Sequence, residues 1–326
     1  VKPILTTTTG SYPIINEPLS TNWQVSVQLA VEAQIEAGID LLVDGQVRSD
    51  IAGLFAPVLG QNKSNGKAND TEVLPHQIKV KITPQAVDSR ALIEDYKYAQ
   101  EVARSKGRTD PSDLKAHITG PVFLAESCRI TQDAPYRLPK TLTGDYDVDP
   151  DLVYDIADAL TSVVREYRAA GAKYIQIDEP SLAYSSKEKM EVTLEALARL
   201  VRVDPQATWI LHTCGNIQHQ FSDLIEKTPP ALKVLFIEAA HLREMQNVDE
   251  ALLSRTQRQI MYGCIPVNTG TLPGTQKLQR ELAETVNRLG PKNVFGVSPY
   301  CGLRLSTPDH AQQTMHLLTE AARVLG

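Results

Sequence analysis

Residues 209–216 read WILHTCGN: an apolar run closes on His212 and Cys214, then turns at Gly215 and Asn216. Side chains two apart on a strand leave the same face, so His212 and Cys214 point one way while Thr213 turns aside. That is half of a metal site. Taken alone, the pair is more often packing than chemistry, because both residue types are commonly buried in cores. Further ligands have to come from elsewhere in the chain.

The same construction recurs. Short β-branched or apolar runs that stop at Gly, Pro, Asp, Glu or Cys appear eight times: ILTTTTG, DLLVDG, KAHITGP, YIQIDEP, WILHTC, VLFIEA, QIMYGCI and NVFGVSPYC. Between most of them lie segments of helical period: Trp23–Ala37, Leu92–Ser105, Pro150–Ala170, Leu194–Val201, Asn247–Arg258 and Thr275–Leu289. Gly38, Gly107, Gly171 and Gly290 stand where such helices end. Alternating β and α around eight parallel runs is the pattern of a (β/α)8 TIM barrel, an α/β fold, expected here as one catalytic domain over residues 1–326. An open doubly wound sheet is the runner-up, and no GxGxxG or GxxxxGKS/T phosphate loop supports it. One run is left over. HQIKVKIT, His76 to Thr83, follows the polar loop GQNKSNGKAND and reads as an added strand or hairpin after the second strand, in an insertion at about residues 61–85 that covers one end of the barrel.

Composition narrows the class. The 326 residues are 42% hydrophobic and 22% charged, with a mean hydropathy of −0.22, and no run approaches the roughly 18 apolar residues of a membrane span. Thirty-three basic against thirty-nine acidic residues give a net charge of −6 with no basic stripe, which excludes nucleic acid as an expected partner. Cys128, Cys214, Cys264 and Cys301 are far apart and form no CxxC pair, so reduced thiols fit better than a disulfide framework. The opening VKPILTTTTG has neither signal-peptide nor transit-peptide layout, and a cytoplasmic location is expected.

A barrel changes the odds on His212 and Cys214. Active sites in this fold are built at the C-terminal ends of the strands, where both residues lie. The next run, VLFIEA, ends on Glu238, and the last run leads to Cys301 in SPYCGLR. His212, Cys214, Glu238 and Cys301 can therefore meet at one point, and an imidazole, two thiolates and a carboxylate suit Zn²⁺ far better than magnesium or calcium. Other strand ends add Thr9, Gly10 and Ser11, then Asp44, Gln46, Arg48 and Asp50, then Asp178 and Glu179. Backbone and hydroxyl groups of the first set can hold a carboxylate, and an acid in the last can hold an ammonium. Together they resemble an amino-acid pocket beside a zinc.

The segments TTTTGSYP, VEAQIEAGIDLLVDGQVRSD, TGPVFL, YIQIDEPSL, LHTCGN, FIEA and SPYCGLR, in this order, resemble the C-terminal catalytic barrel of the cobalamin-independent methionine synthase family over nearly the whole chain. The resemblance implies zinc on His212, Cys214, Glu238 and Cys301, and homocysteine held by the segment around Thr9 and Ser11 and by Asp178. It implies alkyl transfer to sulfur, in which zinc turns the homocysteine thiol into a thiolate and Glu238, the hardest ligand, is the one to lengthen or leave.

Three departures bear on the methyl donor. The family is about twice this length, with a second barrel; its proton-delivering histidine reads Asn268; and its acid after the second strand reads Gln46, while the pterin-stacking segment reads FLAESC. A methyltetrahydrofolate nitrogen must be protonated before it leaves, and Asn has no proton to give. Methylcobalamin needs no such acid, so a methylcorrinoid, free or on a corrinoid protein, is the expected donor, as in the short single-barrel core methionine synthases. Methyltetrahydrofolate with another proton source, another thiol acceptor such as coenzyme M, and a non-catalytic zinc-binding or homocysteine-binding role are the alternatives. Cys128 and Cys264 are expected to be core or loop thiols.

Overall fold

Runs that are apolar without strict alternation belong to strands covered on both faces, as parallel barrel strands are. The computed structural model describes residues 4–13, 22–59, 76–110, 113–138, 148–267 and 270–325. Its strands are β1 (Leu5–Thr6), β2 (His76–Ile78), β3 (Lys115–Thr119), β4 (Cys128–Ile130), β5 (Tyr174–Asp178), β6 (Thr208–His212), β7 (Val234–Glu238), β8 (Gln259–Ile265) and β9 (Val294–Pro299). Seven form one parallel sheet in the order β1-β9-β8-β7-β6-β5-β3. The run DLLVDG supplies the eighth position through two single bridges, Thr7 to Leu41 and Leu42 to Leu114, which link β1 to β3 and close the ring. The chain is a TIM barrel.

The barrel interior is layered. Ile210, Val234, Phe236, Met261 and Phe295 form a separate apolar cluster with Leu5 and Tyr174 packed on it. On β3 and β5 the inner positions are polar: Lys115 on β3 meets Gln176 on β5 at 2.6 Å, and beyond them His117 faces Asp178. β5, β6 and β7 end on Asp178, His212 and Glu238, which places titratable groups at the carboxyl mouth of the barrel.

Helices sheathe the sheet for local reasons. α1 (Trp23–Glu36), α2 (Ile51–Phe55), α3 (Arg90–Ser105), α4 (Pro121–Ser127), α5 (Pro150–Ala169) and α6 (Lys187–Val201) precede those of the second half. In α5, the Asp149 carboxylate accepts from the Asp151 N–H, Pro150 opens the first turn, and Leu152, Ile156, Leu160 and Val163 bury one face. Each such side chain contributes about 1.5–3 kcal/mol by leaving water. The four expected helix-ending glycines all take positive φ, Gly171 at 96° among them. α6 begins seven residues before the expected Leu194, because Ser186 caps it by accepting from the Lys189 N–H. The helix expected over Asn247–Arg258 is shorter, Glu250–Thr256, capped by Asp249.

The insertion lies partly outside the described residues. Its described strand, β2, pairs in parallel with β4, His76 opposite Cys128 and Ile78 opposite Ile130, as a second two-stranded sheet. Among the described residues no helix is long and apolar enough to cross a membrane.

Candidate metal and substrate site

His212 is the last residue of β6, Cys214 lies two residues beyond it, and Cys301 lies two beyond β9. Strand closure brings them together. Cys214 Sγ is 3.5 Å from His212 Nε2 and 3.0 Å from Cys301 Sγ, and one ligand atom from each of the three lies within 4.8 Å of the others. The sulfurs are well beyond the disulfide bond length of about 2.05 Å, and all four cysteines are free. The hydrogen bond between the two thiols holds Cys301 below the ordinary thiol range and pushes Cys214 above it, so they share one proton.

Glu238, at the end of β7, is beside this group but not in it. Its Oε1 accepts the backbone N–H of Gly215 at 2.9 Å, and its Oε2 is 3.6 Å from His241 Nε2. Gly215, at φ 99°, makes the turn that points its N–H at the carboxylate. The carboxylate thus lies one residue from Cys214.

Behind His212 stands Asp178, level with it across the β5–β6 ladder. Asp178 Oδ1 is 2.9 Å from His212 Nδ1 and accepts from Gln176 Nε2 at 2.6 Å, while Oδ2 is 3.3 Å from His117 Nδ1. Burial alone would push this carboxyl up, yet the bonds from His117 and His212 hold it below the usual carboxylate range. The contact with Asp178 leaves His212 Nε2 facing Cys214. Lys115, wholly buried, donates to Thr8 O at 2.9 Å and Gln176 Oε1, so hydrogen bonds run from Lys115 through Gln176 and Asp178 to His212.

The loop after β1 packs on the loop that carries Cys301. Thr9 Oγ1 donates to Pro299 O at 3.2 Å, Ser11 O accepts from the Leu303 N–H at 2.8 Å, and a Cβ on Gly302 would sit 2.1 Å from Ser11 Oγ. Thr9, Gly10 and Ser11 therefore border the mouth, and Gln46 lies on Gly10. The other acids of the second loop do structural work: Asp50 caps α2 through the Gly53 N–H, and Arg48 bonds Asp95 at 2.7 Å beneath Trp23. Asp44 accepts from the Gln46 N–H, and burial pushes its pKa up to about 7. Glu179 takes the Val122 and Phe123 N–H groups at the start of α4, and burial raises it to about 8.

Sequence reading passed over Lys115, His117 and Gln176. The signal was present, since Lys115, His117 and Thr119 alternate with Ala116 and Ile118 in KAHIT, and Gln176 alternates with Ile175 and Ile177 in YIQID. Alternation of that kind ordinarily marks a solvated face; here the polar face lines the barrel. Cys264 is buried in the core and Cys128 packs against it.

Residues 4–324 match the family model described as "Cobalamin-independent synthase, Catalytic domain". The chain is 27% identical to a methionine synthase of Methanothermobacter thermautotrophicus, over 92% of this chain and 94% of that one. It is 24% identical to a 5-methyltetrahydropteroyltriglutamate–homocysteine methyltransferase of Thermotoga maritima, covering 98% of this chain and 44% of that longer one. A solved B12-independent methionine synthase from Shewanella sp. W3-18-1, in complex with selenomethionine, superposes with a TM-score of 0.72 at 17% identity over 99% of this chain and 98% of that one, a likeness of fold.

These findings overturn the expected donor. The matched family is described as cobalamin-independent, so methylcobalamin, and a corrinoid protein as partner, are withdrawn. The expectation rests on the absent second barrel, on Asn268, and on Gln46 with the FLAESC segment. Asn268 lies outside the described residues, and a leaving nitrogen takes its proton from any well-placed acid or water, not from one position alone. With its model matched from residue 4 to residue 324, the chain belongs to the cobalamin-independent synthase family and carries that family's catalytic domain.

Proposed function

We propose that this protein is a zinc-dependent methyltransferase that forms methionine, moving a methyl group from a methyltetrahydropteroyl donor to the thiol of homocysteine. The observation that carries the reading is the convergence of His212, Cys214 and Cys301 at the polar mouth of the barrel. The names of the relatives supply acceptor and donor: methionine synthase in one, 5-methyltetrahydropteroyltriglutamate–homocysteine methyltransferase in another.

The donor set fits zinc. One imidazole and two thiols with mutually close ligand atoms, and a carboxylate one residue away, are the ligand types of a four-coordinate zinc site. His212, Cys214 and Cys301 would hold the ion, with Glu238 as fourth ligand after release from Gly215. Zinc, when bound, supplies a Lewis acid that lowers the pKa of a substrate thiol, so that the acceptor reacts as a thiolate.

The chain's own residues do the rest. Asp178 holds His212 Nδ1, fixing ring orientation, and places a negative charge beneath the substrate ammonium. Thr9, Gly10 and Ser11 border the carboxylate side, with Gln46 on their inner flank. A substrate anchored by its head group presents its sulfur in one direction, which converts a chance encounter with the donor into a positioned one.

The reading is tested by methionine formation from homocysteine and methyltetrahydropteroyl mono- or triglutamate with zinc-loaded protein. Methionine production lost on chelation and restored by zinc is expected. No methionine from either donor, with one zinc per chain bound, would overturn it.

A further inference from the structure

Lys115 and Gln176 lie inside the barrel, both fully buried, and Gln176 stands two residues before Asp178 on β5. An amine in such a place loses its hydration. An apolar side chain of like length, such as Met, fills the same space without that cost, so packing does not account for a lysine. Nor does the need of Thr8 O for a donor, since that carbonyl also accepts from Thr7 Oγ1 at 3.2 Å. The contact left to explain Lys115 is the one with Gln176.

That contact fixes a direction. Lys115 Nζ donates to Gln176 Oε1 at 2.6 Å, so the amide presents its nitrogen to the other side, where Nε2 donates to Thr9 O at 2.8 Å and to Asp178 Oδ1 at 2.6 Å. Flipped, the amide would set its oxygen against two acceptors and its nitrogen against a donor. Asp178 Oδ1 is the same oxygen that lies 2.9 Å from His212 Nδ1, while Oδ2 is 3.3 Å from His117 Nδ1. Two imidazoles thus compete for one carboxylate. The bond from Gln176 pins the oxygen that serves His212, and a carboxylate freed of it could turn toward His117 instead.

We propose that Lys115 and Gln176 are positioning residues for the metal-binding histidine: Lys115 holds the Gln176 amide in the orientation that donates to Asp178 Oδ1, which keeps that oxygen on His212 Nδ1 and leaves the His212 Nε2 lone pair for the ion. The proposal rests on the zinc reading given above and extends the support of that site two residues deeper into the barrel. Neither residue touches the ion or the substrate, so their effect is on how tightly zinc is held.

The experiment is competition for zinc with a chromophoric chelator, on wild type, Lys115→Met, Gln176→Met and the double variant. Each single variant is expected to lose about 10-fold in zinc affinity, the lower end of the range for outer partners of metal-binding histidines. The double variant is expected to lose no more than Gln176→Met alone, because Lys115 acts through Gln176. Zinc affinity unchanged in Lys115→Met, whatever happens to its urea midpoint, would reduce the lysine to a structural role and overturn the proposal, as would losses that add in the double variant. Should the variants fold poorly, NMR of wild type decides. The side-chain NH2 signals of Gln176 are expected to shift between chelated and zinc-loaded protein, and those of Gln34, buried on Ala30 O and Val43 O, to stay. Gln176 signals unmoved by zinc would overturn the proposal and leave the zinc reading standing. A wild type that binds no zinc would overturn that reading itself.

Discussion

The sulfurs of Cys214 and Cys301 lie 3.0 Å apart although 87 residues separate them in the chain. Two thiols this close, one of them below its ordinary pKa, are poised to be oxidised when no ion occupies them. Chelated protein treated with diamide is therefore expected to form a Cys214–Cys301 disulfide within minutes, and zinc-loaded protein to resist. Peptide mass spectrometry reads the linkage. Equal oxidation with and without zinc would show that these sulfurs are not metal ligands.

Replacing Cys301 by Ser would remove a soft anionic ligand from the proposed zinc site. Since metal affinity depends on each ligand of a small set, the variant is expected to lose its bound zinc on dialysis against a chelator, and its activity with it. Metal analysis after dialysis decides the matter. One equivalent retained would remove Cys301 from the ligand set.

Asp178→Asn tests the group behind His212. The amide keeps the shape but removes the charge, and its two faces suit His212 and His117 differently. Zinc affinity is expected to fall about 10- to 100-fold, as for other partners of metal-binding histidines. Competition with a chromophoric chelator measures it; unchanged zinc affinity would detach Asp178 from the metal.

Lys115 carries a pH signature. Burial lowers its pKa to about 7, and its two acceptors, Thr8 O and Gln176 Oε1, match the two N–H groups of a neutral amine. The unfolded chain, with the ordinary lysine pKa of about 10.4, binds the extra proton between those values, so this group makes stability rise with pH from about 7 to 10, by up to about 1.4 kcal/mol per unit. Lys115→Met is expected to flatten that rise. Urea midpoints at pH 7 and 9 for both proteins test it, and parallel shifts would place the titration elsewhere.

Much of the architecture was legible because barrel strands are covered on both faces and read as unbroken apolar runs. WILHTC and YIQIDEP end where β6 and β5 end, within two residues. The site was legible only as positions along strands. His212, Cys214 and Cys301 sit at ends that the ring brings together, whereas the turn of Glu238 toward Gly215 is a side-chain choice that no spacing encodes. His117 and Lys115 were missed because a polar stripe on a strand ordinarily faces water. The parallel partner of β2 was hidden by its distance in the chain. The donor was misread for a different reason, since one missing acid constrains a proton path only when no other group or water supplies it.

The ring of strands is closed at its second position by Leu41 and Leu42 alone. Three backbone bonds hold that seam: Leu41 N–H to Thr6 O, Leu42 N–H to Asp113 O and Lys115 N–H to Leu42 O. Amide deuteration is expected to proceed faster there than along the long β8–β9 ladder, since opening the seam breaks fewer bonds. The same backbone continues through Gly45 into Gln46. The thinnest point of the wall therefore adjoins the loop that carries Gln46 to Gly10 at the barrel mouth.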